Sequence, residues 1–123
     1  MKKVETTNAP KAIGPYSQAY VSGNLVFTAG QIAINPDTGN IDKDDIVWQA
    51  NQAFKNIGAI LAESGTSYNK VIKTTVFLTD LANFSIVNEI YSKYFISDPA
   101  RSCVEVSKLP KGSLIEIEVI AEL

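Results

Sequence analysis

The segment PARSCVEVSKLPKGSLIEIEVIA, residues 99–121, contains two stretches in which apolar and polar side chains alternate. Successive side chains of a β-strand point to opposite faces of a sheet, so this alternation predicts strands over residues 102–106 and 114–123. The intervening LPKG, residues 109–112, contains proline and glycine and predicts the turn between them. The two strands decide how the sheet is built, because each has one apolar and one polar face.

The polar faces of these two strands need an explanation. The simplest assembly places the apolar sets beneath helices; they are Val104, Val106, Ile115, Ile117 and Val119. The polar sets are then expected together on the opposite face; they are Arg101, Cys103, Glu105, Glu116 and Glu118. If the two strands pair with Cys103 opposite Glu116, Arg101 lies opposite Glu118. Two interpretations stay open: exposed cross-strand ion pairs, or a sheltered pocket or subunit interface.

Strands and helices alternate through the rest of the chain. Strand-like runs cover residues 4–6, 19–21, 25–32 and 71–78, and the second and third flank a tight Ser22-Gly23-Asn24 turn. Apolar residues spaced by three and four predict helices over residues 44–64 and 83–95. Gly65 is a natural end for the first helix. The pattern predicts one domain, residues 1–123, of α/β or α+β type with both helices covering one face of one sheet.

Composition excludes several kinds of chemistry. The 123 residues include no histidine and one cysteine, so histidine-based nucleophile pairs, histidine-ligated metals and an internal disulfide are excluded. A lone cysteine favours a reducing, cytoplasmic setting. The N-terminal MKKVETTNAP lacks the apolar run of a signal peptide, and no stretch approaches the ~20 apolar residues of a membrane span. Net charge of −2 and a pI of about 5.0 give no reason to expect nucleic-acid binding, and the missing apolar span gives none to expect a membrane partner.

Three acidic residues, Asp42, Asp44 and Asp45, cluster just before the first predicted helix. A metal site is one interpretation of such a cluster. A helix N-terminus is the better one, because carboxylates cap free N–H groups and complement the helix dipole.

Seven motifs together resemble the reactive-intermediate deaminase family, also called Rid or YjgF, or L-PSP endoribonuclease-like. They are AIGPYSQA (12–19), AGQI (29–32), NPDTG (35–39), VIKTTVFLTDL (71–81), VNEIY (87–91), PARSCVEVSKLPKG (99–112) and IEIEVIA (115–121). The resemblance implies a chorismate-mutase-like α+β fold with one mixed β-sheet, assembled as a homotrimer with a site in each inter-subunit cleft. It also implies hydrolysis of 2-imino acids such as 2-iminobutanoate and 2-iminopropanoate, or their enamine tautomers, to 2-keto acids and ammonia. No cofactor and no metal are implied.

The resemblance also implies roles for individual residues. Arg101 is expected to bind the substrate carboxylate, with the backbone N–H of Cys103 beside it. Glu116 is expected to position and activate water and to relay a proton to the leaving ammonia. The sulfur of Cys103 need not react, and the alternative for this residue is a small buried hydrophobe.

Four further residues are expected to line the site. Tyr16 offers its hydroxyl, unless it is only a packed aromatic of a proline-containing loop. Asn88 lies near the site, unless it is a solvent-facing polar residue of the second helix. Gly30 allows backbone to approach the ligand closely. Ala29 stands where many members have a serine, and the connection at residues 96–98 is shorter than in many relatives.

Two other functions are compatible with parts of the pattern. A non-catalytic trimer that binds small carboxylates and regulates a partner fits the missing hydroxyl at Ala29. A ribonuclease or translation inhibitor is disfavoured by the acidic pI, the absence of histidine and the lack of a metal constellation.

Overall fold

The computed structural model describes residues 1–123. Its regular elements are strands β1 (Lys2–Val4), β2 (Ala19–Ser22) and β3 (Leu25–Thr28), helix α1 (Ile46–Ser64), strand β4 (Val71–Leu78), helix α2 (Phe84–Tyr94), and strands β5 (Ala100–Glu105) and β6 (Ile115–Glu122). Every predicted element is therefore present, with ends that differ by a few residues. The largest difference is in β3, which ends at Thr28; beyond it only Gln31 pairs with β6, through a single bridge to Ile117.

The strands form one six-stranded sheet in the order β1-β2-β3-β6-β4-β5. All neighbouring pairs are antiparallel except β4 and β5, which are parallel. Strand β5 follows β4 through helix α2, and such a crossover connection joins neighbouring parallel strands. The fold is therefore α+β with one mixed sheet and two helices, as predicted.

Helix α1 ends at the predicted Ser64 and begins at Ile46, shortly after the predicted residue 44. The carboxylate of Asp45 accepts a hydrogen bond from the Trp48 N–H at 2.8 Å, which caps the first turn. At the other end, Gly65 has φ 88° and its N–H reaches the Ala62 carbonyl at 3.1 Å. Asp42 instead accepts hydrogen bonds from the side chains of Asn35 and Thr38, each at 2.9 Å. Two of the three clustered aspartates thus have structural partners.

The hydrophobic core lies between the helices and one face of the sheet. Phe54 of α1 contacts the rings of Tyr91 and Phe95 edge-on, with centroid distances of 6.0 and 5.5 Å. Ile115 and Ile117 of β6 are fully buried beneath these rings. Both helices consequently cover the same face, and neither has the length and apolar character needed to cross a bilayer.

The predicted arrangement of the last two strands is wrong. Strand β4 lies between β5 and β6, so Cys103 does not face Glu116 and Arg101 does not face Glu118. Arg101 pairs with the buried Thr74, and Cys103 pairs with the buried Val76, which puts both on the helix side together with Glu105. The polar set is therefore divided between the two faces, because Val104 of the edge strand β5 pairs with Phe77 and does not point toward the core.

The second face of the sheet carries no helix. Its apolar residues include Tyr20, Leu25, Phe27, Phe77, Val104 and Ile120. Phe27 and Val104 are 42% and 44% exposed. Glu116 and Glu118 of β6 lie on this same face. We call it the open face.

Candidate active site

The first group of predicted site residues surrounds Arg101 at the edge of the sheet. Asn88 of helix α2 accepts a hydrogen bond from Nη1 of Arg101 at 2.6 Å. The guanidinium carbon lies 4.8 Å from the centroid of the Tyr91 ring and 5.4 Å from that of Phe84. No carboxylate lies within ion-pair distance of Arg101, since the one ion pair in the protein joins Lys3 and Glu5 at 3.5 Å. An exposed cation without an anionic partner is thus available to an anionic ligand.

Cys103 lies next to this cation with its side chain half-buried against the core. Burial raises the pKa of the Cys103 thiol, and the positive charge of Arg101 only partly opposes this effect. The sulfur therefore stays protonated at neutral pH, which argues against a nucleophilic role.

The backbone N–H of Cys103 points away from the neighbouring strand β4. The N–H of Val106 donates to the Leu78 carbonyl of β4 at 2.8 Å. Because backbone groups alternate in direction along a strand, the N–H groups of Arg101 and Cys103 point to the free edge of β5. The N–H of Cys103 is therefore a backbone donor that the sheet does not use, and its role toward a ligand carboxylate stays a prediction from the resemblance.

The second group of predicted residues lines a cleft of about 640 Å³. Its lining includes Tyr16, Ala29, Gly30 and Glu116, all predicted from the sequence, together with Lys11 and Lys111, which were not. Tyr16 is 55% exposed, so it is not a packed aromatic of its loop. Lys111 lies within the motif of residues 99–112 and Lys11 directly precedes the motif of residues 12–19, but neither lysine gave a further signal in the sequence.

Glu116 rests directly on Gly30. A Cβ atom added at Gly30 would lie only 2.8 Å from the Cδ of Glu116, so a larger residue would displace the carboxylate. Partial burial raises the pKa of Glu116, and the negative charge of Glu118 raises it further. A carboxylate whose pKa is raised above its ordinary value holds a proton more readily, which suits a group that both accepts and donates protons.

The two groups lie on opposite faces of the sheet within one chain. Arg101 and Asn88 are on the helix side, whereas Glu116 and the cleft are on the open face. Glu105, predicted to join them, instead accepts a hydrogen bond from the Leu81 N–H at 2.8 Å and has a structural role.

The sequence did not single out the two rings beside Arg101. Phe84 and Tyr91 belong to the apolar residues whose spacing predicts the second helix, and their spacing from Asn88 places all three on one face of α2. Their spacing from Asn88 is the sequence feature that could have indicated that these rings lie near the site.

Comparison with known proteins identifies the family. The family model described as Endoribonuclease L-PSP matches residues 6–123. The chain belongs to this Rid/YjgF family. A RutC family protein of Pyrococcus horikoshii is 58% identical over 117 residues, covering 94% of this chain and 93% of that protein. A 2-iminobutanoate/2-iminopropanoate deaminase of Mus musculus is 46% identical and covers 98% of this chain and 90% of that protein.

Solved structures of Rid proteins have the same fold. E. coli TdcF, crystallised with bound serine, superimposes with a TM-score of 0.95 at 45% identity, covering 100% of this chain and 98% of that one. Within the Rid family some relatives carry names of imine deaminases and many carry only a family name. The family places this chain among proteins that include imine deaminases.

Proposed function

We propose that this protein hydrolyses reactive 2-imino acids and their enamine tautomers, such as 2-iminobutanoate and 2-iminopropanoate, to 2-keto acids and ammonia. The observation that carries the proposal is the pair of half-sites: an unpaired guanidinium on one face of the sheet and a cleft with a raised-pKa carboxylate on the other. Neither half alone can hold and hydrolyse an imino acid.

A homotrimer would unite the two halves. The open face, which also carries Glu116, exposes Phe27 and Val104, and contiguous apolar surface is usually covered in an oligomer. If a second protomer packs on this face with its Arg101 edge toward the cleft, one protomer supplies the guanidinium and its neighbour supplies Glu116. Cyclic symmetry would then create one site at each interface.

The carboxylate of the substrate is bound first. The guanidinium of Arg101 matches a carboxylate bidentately, and the N–H of Cys103 adds a third donor at the edge of β5. Binding in this way fixes which face of the imine carbon is presented to Glu116.

Hydrolysis then follows from the position of Glu116. The carboxylate takes a proton from water as the water oxygen bonds to the imine carbon, and the C=N electron pair moves to nitrogen. Glu116 passes that proton to the nitrogen, which gives a neutral carbinolamine. Glu116 then takes the hydroxyl proton of the carbinolamine and transfers it to the amine. The ketone forms as the C–N bond breaks, and the nitrogen leaves with that electron pair as ammonia. The Tyr16 hydroxyl lies in the same cleft and can hold the attacking water or the leaving amine. An enamine needs a prior proton transfer to its β-carbon.

The relatives support this assignment. The mouse relative is named for deamination of 2-iminobutanoate and 2-iminopropanoate. TdcF was crystallised with serine, a small molecule with a carboxylate. Both facts agree with a site that recognises the carboxylate of an amino-acid-like ligand.

The test couples the protein to a threonine dehydratase and traps the released imine with semicarbazide. We expect faster release of the keto acid and less trapped imine in the presence of the protein. Arg101→Ala should reduce the acceleration about 10–200-fold, the range for a lost charge-assisted hydrogen-bonding pair. An acceleration that survives Arg101→Ala would contradict the proposal.

A second candidate is a non-catalytic trimer that binds small carboxylates and regulates a partner. Ala29 favours it, because this position in the cleft has no hydroxyl. The same coupled assay separates the two: the binding module would bind 2-ketobutanoate through Arg101 and leave imine hydrolysis at the rate in buffer. If the wild-type protein does not accelerate imine hydrolysis and Ala29→Ser does, the missing hydroxyl explains why the wild-type protein is inactive.

A further inference from the structure

One stripe of helix α2 encloses the guanidinium of Arg101. Phe84, Asn88 and Tyr91 are spaced by four and three residues and therefore share a face of the helix. Asn88 accepts the hydrogen bond from Nη1 at 2.6 Å, and both rings lie within the ~6 Å over which a cation is attracted to an aromatic face. The cation thus has three neighbours from one helix.

The two rings differ in how they are held. Tyr91 is buried, packs on Phe95 with centroids 4.6 Å apart, and shares a 2.7 Å hydrogen bond with the hydroxyl of Thr74. The core therefore fixes Tyr91 whether or not Arg101 is present. Phe84 is only half-buried, does not belong to the hydrophobic core, and has no other aromatic ring against it. Core packing does not account for an aromatic residue at position 84, whereas the contact with Arg101 does.

We propose that Phe84 is a positioning residue that holds the guanidinium of Arg101, with Tyr91 and Asn88, in the orientation that receives the substrate carboxylate. The inference rests on the proposed function in one respect, namely that Arg101 binds this carboxylate. An arginine side chain loses much rotamer freedom when it is immobilised. Phe84, Asn88 and Tyr91 restrict the rotamers of Arg101 before the ligand binds. The ligand therefore binds more tightly, because this loss of side-chain entropy does not occur on binding. Asn88 accepts a hydrogen bond from one N–H group of the Arg101 guanidinium, and the other exposed N–H groups stay available to an anion.

The first measurement does not depend on any ligand. Arg101 is the sole arginine in the chain, so the side-chain Nε–Hε group gives one assignable ¹⁵N resonance. We expect this group to be ordered in the wild-type protein and flexible in Phe84→Leu, which keeps apolar bulk but lacks an aromatic face. Phe84→Trp should restore the order, because tryptophan is the best partner for a cation. Phe84→Met replaces Phe84→Leu if the latter does not fold.

The second measurement is the affinity for 2-ketobutanoate by calorimetry. Phe84→Leu should weaken binding about two- to fivefold, as expected for an exposed cation–π contact, and Phe84→Trp should restore it. In the Arg101→Ala background the Phe84→Leu change should have no further effect. The matched control is Ile86→Ala, which removes an exposed side chain from another face of α2 and should change neither measurement.

The outcomes separate this inference from the proposed function. An unchanged Nε–Hε order parameter in Phe84→Leu overturns the positioning role. An affinity for 2-ketobutanoate that Arg101→Ala leaves intact overturns the carboxylate-binding role of Arg101, and with it the proposed function. In that case a flexible Nε–Hε group in Phe84→Leu would still support the part of the inference that concerns how Arg101 is held.

Discussion

Arg101 and Glu116 lie on opposite faces of one sheet, in strands that are separated by β4. Arg101 pairs with Thr74, which is buried beneath the helices, whereas Glu116 pairs with Phe77 on the open face. A ligand held by Arg101 is therefore separated from Glu116 of the same chain by the sheet itself. The proposed chemistry consequently depends on a second copy of the chain.

The open face should determine the assembly state. Val104 on this face and Val47 on helix α1 are both 44% exposed, so they form a matched pair. We expect Val104→Asp to yield a folded species near 13.3 kDa, because a carboxylate buried without a partner disfavours an interface. Val47→Asp should keep a mass of three times that value. Light scattering measures both, and a wild-type monomer would contradict the trimer.

Gly30 should be required for activity and not for folding. A methyl group there collides with the Glu116 carboxylate, so Gly30→Ala should move this group out of place. A misplacement of about 1 Å can lower turnover on the order of 100-fold. The coupled dehydratase assay measures the activity of Gly30→Ala, and circular dichroism tests whether the variant is folded.

Gly23 provides the control for Gly30, because its replacement should affect stability and not activity. It has φ 61° in the β2–β3 turn, and nothing lies within 4 Å of an added Cβ atom. Gly23→Ala should therefore cost about 1 kcal/mol of stability through backbone strain and leave activity unchanged. Equal losses of activity in the two variants would show that Gly30 has no specific relation to Glu116.

Glu116 should titrate above the ~4.3 usual for glutamate, because burial and the charge of Glu118 both disfavour its ionised form. Because the pKa of Glu116 is higher in the folded than in the unfolded protein, the free energy of unfolding declines as pH rises from the unfolded-state pKa through the folded-state pKa. Glu118→Gln removes the like charge and should lower the titration midpoint of the Glu116 carboxyl ¹³C resonance. The exposed Glu63→Gln on α1 is the control and should leave it in place.

Local features of the fold could be predicted because they depend on neighbouring residues. The β-branched run of β4 and the apolar stripe of α1 each predicted its element with nearly correct bounds. The capping carboxylate of Asp45 and the left-handed Gly65 mark the ends of α1 for reasons that are visible in the sequence.

The position of β5 could not be obtained from alternation alone. Alternation states which side chains of a strand share a face, and it does not state which face meets the helices. The valines of β5 suggested the wrong face, because the open face is also apolar. The crossover through α2 contained the correct signal, since a strand, a helix and a strand in succession favour parallel neighbours, here β4 and β5.

The site was predicted in part. Tyr16, Ala29, Gly30 and Glu116 do line one cleft, and Asn88 does contact Arg101. Their division into two halves was missed, because it depends on strand order across the sheet. The two aromatic rings beside Arg101, Phe84 and Tyr91, were missed because phenylalanine and tyrosine in a helical stripe normally indicate core packing.

The most direct test of the shared site is complementation between two inactive variants. Arg101→Ala and Glu116→Gln are unfolded together in equal amounts and refolded as mixed trimers. If each site takes Arg101 from one protomer and Glu116 from its neighbour, about a quarter of the sites regain both residues, and the coupled assay should recover about that fraction of wild-type activity. No recovery, in trimers whose mixed composition is confirmed by native mass spectrometry, would contradict a site shared between protomers.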